Sequence, residues 1–176
     1  PLIYVVSASF SDPIAVTRGE LWLLPKRPTL DGYRLILDYR PIWVGYRNTI
    51  FYAVFGTLLN LACTLPCAYA LSRRDMAGRT AIMLLFTFTM FFSGGMIPTY
   101  LAMKQFGLLN TVWALLVPGL VSVTNLIIAR TYFATSLPWE LQEAARIDGC
   151  SNTRLLVSIV LPLSMPMVAV LALYYV

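Results

Sequence analysis

Of the 176 residues, 59% are hydrophobic and 12% are charged, and the mean hydropathy is +0.72, whereas soluble domains carry about a quarter charged residues. A soluble globular protein is thereby excluded, because a chain of this size needs charged surface all round; the sequence reads as an integral membrane protein. The net charge of +5 does not point to nucleic acid, because the basic residues sit at the ends of apolar stretches and are interleaved with acids, as membrane-flanking charges are.

The 13 basic and 8 acidic residues fall into four places: Asp12–Arg47, Arg73–Arg79, Lys104 and Arg130–Arg154. In chain order, residues 1–10 are too short to span and lack a basic n-region, so they read as the end of a missing N-terminal span rather than a signal peptide. Residues 11–47 read as an external loop or cap, since Pro13, Pro25, Pro28, Gly32 and Pro41 forbid one long helix. Within it Thr29 can cap a short helix over Leu30–Asp38, and Glu20–Leu24 can be extended. Trp43, Tyr46 and Tyr52 suit the interfacial belt.

Residues 48–176 read as the transmembrane domain. Asn48–Ser72, Thr80–Met103 and Asn110–Ala129 each supply the roughly 20 apolar residues that cross a bilayer, and a further span starts near Ile159. Gly94, Gly95 and Pro98 weaken the second of these, which predicts a bend; it either lines a translocation path or packs helices through small residues. Pro66 and Pro118–Gly119 raise the same possibility in the neighbouring spans. Asn60, Ser122, Thr124 and Asn125 are polar groups at membrane depth that can bond solute hydroxyls or join helices.

Between the last two spans, residues 131–158 form a polar loop with its own helix signals. Ser136 can cap a helix with Pro138 in its first turn and Glu140 near the positive end of the dipole. Leu137, Leu141 and Ala144 or Ala145 fall on one stripe, and Gly149 supplies a left-handed stop. A second short helix can begin after Ser151. Such a helix, turn and helix, with small Ala144 and Ala145 flanked by Glu143, Arg146 and Asp148, suits docking into a groove of a soluble partner.

Six Lys and Arg residues flank this side of the membrane and seven the other, so the bare count is indecisive. Weighting by short loops makes the Arg73–Arg79 side cytoplasmic. Cys63, Cys67 and Cys150 read as small packing residues, and with no His there is no zinc-ligand pattern. No charged residue lies deep in a span, so no ion-coupling relay is evident. An intramembrane enzyme would need an activated nucleophile, and Ser, Thr and Cys have no evident base beside them. A phosphate-binding G-x-x-x-x-G-K-[ST] loop is absent.

The order Glu143, Ala144, Ala145, Asp148, Gly149, then Ile159, Leu161 and Pro162, resembles the EAA loop of permease subunits of binding-protein-dependent ABC importers. The stretches LWLLPKRPTLDGY, YRNTIFYAV, GGMIPTYL, GLLNTVWALLVPG and NLIIARTYF are similar to the carbohydrate-uptake branch, the maltose-permease-like second subunits and the polysaccharide-permease group. The resemblance implies an all-α polytopic membrane protein with the type I ABC importer permease fold, a fragment with about four spans of roughly six. It implies a multi-pass location in the bacterial cytoplasmic membrane and an ATPase-coupling role for Glu143, Ala144, Ala145, Asp148, Gly149 and Pro162. The implied partners are a second homologous permease, a cytoplasmic ABC ATPase dimer, an extracytoplasmic solute-binding protein and membrane lipid, with no nucleic acid. No cofactor is implied on this chain, ATP and magnesium being held by the ATPase. The implied cargo is a sugar or oligosaccharide; the alternatives are a non-sugar solute or, more remotely, an intramembrane enzyme. Cys150 stands where the family usually has Ala, and Leu156 where an aromatic residue is common.

Overall fold

The structure, a computed structural model, describes residues 2–22, 24, 25 and 27–176. The expectations that fall on Pro1, Leu23 and Lys26 lie outside the described residues. Contacts divide the chain into two compact units, Pro1–Ile50 and Phe51–Val176.

The first unit contains α1 (Leu2–Ser9), α2 (Pro13–Thr17) and α3 (Asp31–Asp38), with no strand among the described residues. Asp12 caps α2 by accepting from the Ile14 N–H at 3.1 Å, and Pro13 occupies the first turn, where a missing N–H costs nothing. An antiparallel bridge joins Ser11 and Pro28, and the Thr29 N–H donates to the Phe10 carbonyl at 2.9 Å. That pairing displaces the expected cap: α3 begins one residue later than predicted, with Leu30 at the N-cap and no side-chain bond. The Thr29 hydroxyl is buried without a partner. Tyr33 closes the unit by donating to Ser9 Oγ at 2.9 Å and packing on Phe10 with ring centroids 5.3 Å apart.

Helix α4 runs Arg40–Ser72, starting eight residues before the predicted span at Asn48. Pro41, expected to exclude helix, instead sits in its first turn, where its ring is tolerated, and Pro66 is carried inside without a break.

In the second unit α5 (Arg79–Phe91) and α6 (Met96–Gln105) follow, and they are bent by 119° at the predicted weak point. Gly95 there has φ +83° and ψ −177°, a conformation only glycine adopts readily. The span expected over Asn110–Ala129 is not one helix, and it is interrupted where Pro118 and Gly119 raise the possibility of a bend. A single turn, α7 (Trp113–Leu116), is separated from α8 (Val123–Ser136) by non-helical residues around Pro118 and Gly119. Pro118 lacks the N–H a helix needs, and Gly119 gains little from helical confinement.

Then come α9 (Trp139–Ile147), α10 (Asn152–Leu155), a π-turn (Leu156–Val160), α11 (Leu161–Leu163) and α12 (Met165–Tyr175). In the π-turn the Leu161 N–H bonds back to the Leu156 carbonyl. Pro162 next to it can donate nothing and crowds the carbonyl four residues back, which favours the wider turn. The chain bends by 86° between Leu163 and Met165, at Ser164, which is fully buried.

Among the described residues, one helix is long and apolar enough to cross a membrane, and three if each bent pair is one span. Residues of α8, Leu126 and Ala129 at 0% exposure and Phe133 at 1%, form the centre of the core. Leu65, Ala68, Tyr69 and Leu71 of α4 and Met167 and Leu171 of α12 belong to the same cluster. The Tyr69 and Phe133 rings meet edge to face at 6.1 Å. Large apolar side chains such as Leu84, Leu85, Phe88 and Phe91 point outward, which is affordable only where the surroundings are apolar too.

Candidate functional site

The polar loop folds into two capped helices, though not with the cap first expected. Ser136 is the last residue of α8, and Pro138 is the N-cap of α9 with no side-chain bond. The residue before a proline is pushed out of the helical region, and Leu137 accordingly adopts φ −105°, ψ 113° and ends α8 there. Glu140 lies in the first turn of α9 and Arg146 in its last, each complementing the helix dipole.

The small residues divide between two faces: Ala145 is buried in the core with Leu137, whereas Ala144 is exposed. Glu143 is also exposed and accepts from Trp139 Nε1 at 2.7 Å, one helical turn away. Gly149 has φ +76°. Its N–H bonds to the Arg146 carbonyl at 3.0 Å and the Cys150 N–H to the Ala145 carbonyl at 2.9 Å, the paired bonds of a Schellman stop. Ser151 then caps α10, its Oγ accepting from the Arg154 N–H at 3.4 Å. Glu143, Ala144, Ala145, Asp148 and Gly149 therefore share one helix and its turn, while Pro162 lies beyond the π-turn in α11.

A node unseen in the sequence braces this loop. Arg73, just past α4, is 6% exposed and grips Asp75 with two parallel bonds, Nε to Oδ1 at 2.9 Å and Nη2 to Oδ2 at 2.7 Å. Its Nη1 donates to Tyr69 Oη at 3.1 Å and to Asn152 Oδ1 of α10 at 2.9 Å. Arg146 of α9 adds a bond to Asp75 Oδ2 at 3.0 Å. Hydrogen bonding from Arg73 holds the Asp75 carboxyl down at about 2 against partial desolvation, and the same bond raises the Arg73 guanidinium. The signal was there in Asp75, a lone acid among arginines in a short loop, but nothing local names its distant partner.

Of the four membrane-depth polar residues, Ser122 and Asn125 come together: Ser122 caps α8, accepting from the Asn125 N–H at 3.5 Å. The Ser122 N–H donates to Tyr175 Oη at 3.2 Å, and Thr64 Oγ1 lies 2.7 Å from that same hydroxyl. Asn60 is half-buried on α4 and Thr124 exposed on α8, and neither enters this set of bonds. A separate cavity of about 480 Å³ opens at the broken helix, lined by Ser93, Gly94, Gly95, Thr99, Tyr100 and Pro118 among others. None of the four residues lines it.

The model of the family described as "Binding-protein-dependent transport system inner membrane component" matches residues 41–176. The chain is 42% identical over 175 residues to the polygalacturonan/rhamnogalacturonan transport system permease protein YtcP of Bacillus subtilis (strain 168), covering 99% of this chain and 61% of that protein. It is 41% identical to protein LplC of the same organism, covering 99% and 59%. A solved bacterial ABC transporter involved in the import of the acidic polysaccharide alginate superposes with a TM-score of 0.92 at 38% identity, covering 99% of this chain and 62% of that one. The chain thus spans about three fifths of the length of these relatives. With the helical permease fold and the matched sequence together, the chain belongs to the family of inner membrane components of binding-protein-dependent transport systems.

Proposed function

We propose that the chain is part of the permease subunit of an ATP-driven importer that passes a sugar or oligosaccharide across the cytoplasmic membrane and performs no chemistry itself. The observation that carries this reading is α9 with its Gly149 stop and α10: a rigid, twice-capped unit whose Glu143 and Ala144 are left exposed. A loop that merely connects spans needs no such construction. Residues 139–149 serve as the coupling helix and its turn, seated on a separate ABC ATPase dimer that holds ATP and magnesium. A second homologous permease and an extracytoplasmic solute-binding protein complete the assembly.

In this reading residues 11–47 are an external cap, and the 73–78 and 131–158 loops face the cytoplasm. The break at Phe92–Gly95 leaves backbone groups outside any helix, and at membrane depth those need a polar lining or a neighbouring helix. Its cavity is the better candidate for the solute path, whereas Ser122 and Asn125 serve to join α8 to its surroundings. A saccharide cargo is supported by the solutes named for YtcP and for the alginate importer.

The test is a full-length complex in liposomes with Glu143→Lys. Membrane insertion is retained, while stimulation of ATP hydrolysis by loaded binding protein and solute uptake both fall at least several-fold. Trp139→Phe, which removes only the indole bond to Glu143, has a smaller effect. Wild-type stimulation in Glu143→Lys returns the loop to a mere connector.

A further inference from the structure

Beneath α9 lies a cavity of about 250 Å³ whose wall includes Ser72, Arg74, Arg79, Arg130, Trp139 and Gln142. The three arginines come from three different elements: the loop after α4, the first residue of α5, and α8. None has a carboxylate partner among the described residues, the nearby Asp75 being taken by Arg73 and Arg146. Arg130 Nε donates to the Leu71 carbonyl at 3.1 Å and Arg79 Nη1 to the Arg73 carbonyl at 3.0 Å. Those bonds fix two of the guanidiniums in place while leaving the remaining donors of each fork unused. Arg74 has no hydrogen-bond or ion-pair partner among the described residues.

Gln142 is 5% exposed, and its Oε1 has no partner. That oxygen is an acceptor and takes a donor rather than an anion; the pull towards an anion comes from the half-buried Arg79 and Arg130 and the exposed Arg74, none with a counter-charge among the described residues. Two helices, α5 and α9, also begin at this wall, and neither has a side-chain cap at its N-terminus. Their free N–H groups and dipoles add to the positive field. The chemistry that answers the unpaired guanidiniums and the open helix N-termini is an anion with several acceptor oxygens, which guanidinium forks grip in parallel pairs.

We propose that this cavity is a binding site for a phosphate group, supplied either by the headgroup of an anionic phospholipid or by free phosphate. The arginines flank apolar helices at their ends, which is headgroup depth if those helices span; only the lipid source rests on that membrane reading. A phosphate held there bridges the 73–79 loop, α8 and α9, so it stiffens the seat of the docking helix from behind.

The test uses the full-length subunit in its complex with the partner permease and ATPase, purified in phosphate-free buffer. Native mass spectrometry after exchange into vesicles of phosphatidylglycerol and phosphatidylcholine reports retained lipid; Tm in pure phosphatidylcholine with and without millimolar inorganic phosphate reports the free anion. Retention of phosphatidylglycerol, several-fold lower in Arg74→Gln, preserved in Arg74→Lys and in the exposed Arg154→Gln outside the cavity, supports the lipid source. A phosphate-induced rise in Tm that Arg74→Gln abolishes supports the free-anion source. Arg130→Gln loses a backbone bond as well, so Arg74 is the deciding position. Equal lipid content and no phosphate effect in wild type and Arg74→Gln overturn the proposal. Loss of the ATPase from the Arg74→Gln complex with lipid and phosphate binding unchanged also overturns it, by giving the arginines to a protein contact. Neither readout needs transport, so failure here leaves the importer reading standing, and the reverse.

Discussion

Asp75 Oδ2 accepts from Arg146 Nη1 at 3.0 Å, joining a short loop to α9 across 71 residues of sequence. Both side chains are partly exposed, 36% for Asp75 and 48% for Arg146, so their coupling in a double-mutant cycle is expected to be about 0.5 kcal/mol. Asp75→Asn costs more, about 2 kcal/mol, because it also strips Arg73, 7% exposed, of its forked partner. Thermal unfolding of the complex measures both. Asp75→Asn no more costly than Arg146→Gln would show that Arg73 finds another partner.

The same carboxyl sets a pH signature. Its folded value of about 2 lies below the ordinary 3.8, chiefly through the Arg73 bond. A depressed acid stabilises the fold fully above its unfolded value and loses that contribution as pH falls through the folded one. The Tm gap between wild type and Asp75→Asn is therefore constant at neutral pH and closes as pH falls from 3.8 towards 2. A gap that is unchanged in acid would remove Asp75 as its source.

Gly149 offers open space around a Cβ, so a side chain meets no atom there, and the cost of replacing it comes from φ +76° alone. Gly149→Val is expected to cost about 1–2 kcal/mol and to misdirect α10, whereas Gly149→Asn, which tolerates the left-handed region, costs less. Stimulated ATP hydrolysis in the reconstituted complex should fall in the order wild type, Asn, Val. Equal losses in the two variants would mean that backbone conformation is not what matters.

Tyr175→Phe removes the hydroxyl shared by Thr64 and Ser122. The expected loss is about 1 kcal/mol, the scale of interhelical hydrogen bonds in membranes. Unfolding in detergent reads it, and solute affinity in uptake assays should stay near wild type if this set joins helices rather than contacting cargo. A large rise in the apparent KM for uptake would return Ser122 and Asn125 to the solute path.

Sidedness is tested by single cysteines in a full-length subunit with Cys63, Cys67 and Cys150 replaced. Ala77 and Phe106 are exposed, and both avoid the adjoining glycines, whose φ values of +75° and +66° a cysteine would strain. Impermeant thiol reagents should reach Ala77→Cys from the cytoplasmic side and Phe106→Cys from the outer side. Labelling of both from one side contradicts the proposed topology.

What could be read from the sequence was what neighbours in the chain decide. The bend at Gly94–Gly95, the stop at Gly149 and the cap at Ser151 are set by residues within one turn of the event. Ser136 and Thr29 show where that logic fails. Pro138 acts backwards on Leu137 and ends α8 there, so Ser136 is the last residue of α8 rather than the cap of α9, and a backbone bond to Phe10 draws Thr29 away from α3. The distant partners of Asp75 and Tyr175 are not legible, because they are chosen by packing, and no periodicity records which helix ends will meet. The interruption near Pro118 was foreseen as a possible bend, yet the loss of helix between α7 and α8 depends on tertiary support that propensity does not contain.

The π-turn at Leu156–Val160 has a mechanical consequence. An α-helix is a stiff rod with a fixed advance per residue, but a wider turn is one residue of slack, which can pass along the rod by exchanging hydrogen bonds one at a time. The chain between α10 and α12 contains that slack, with the Ser164 elbow one short helix, α11, beyond it. A displacement of α10 is therefore not carried rigidly to α12, because the wider turn and the elbow can take up part of it.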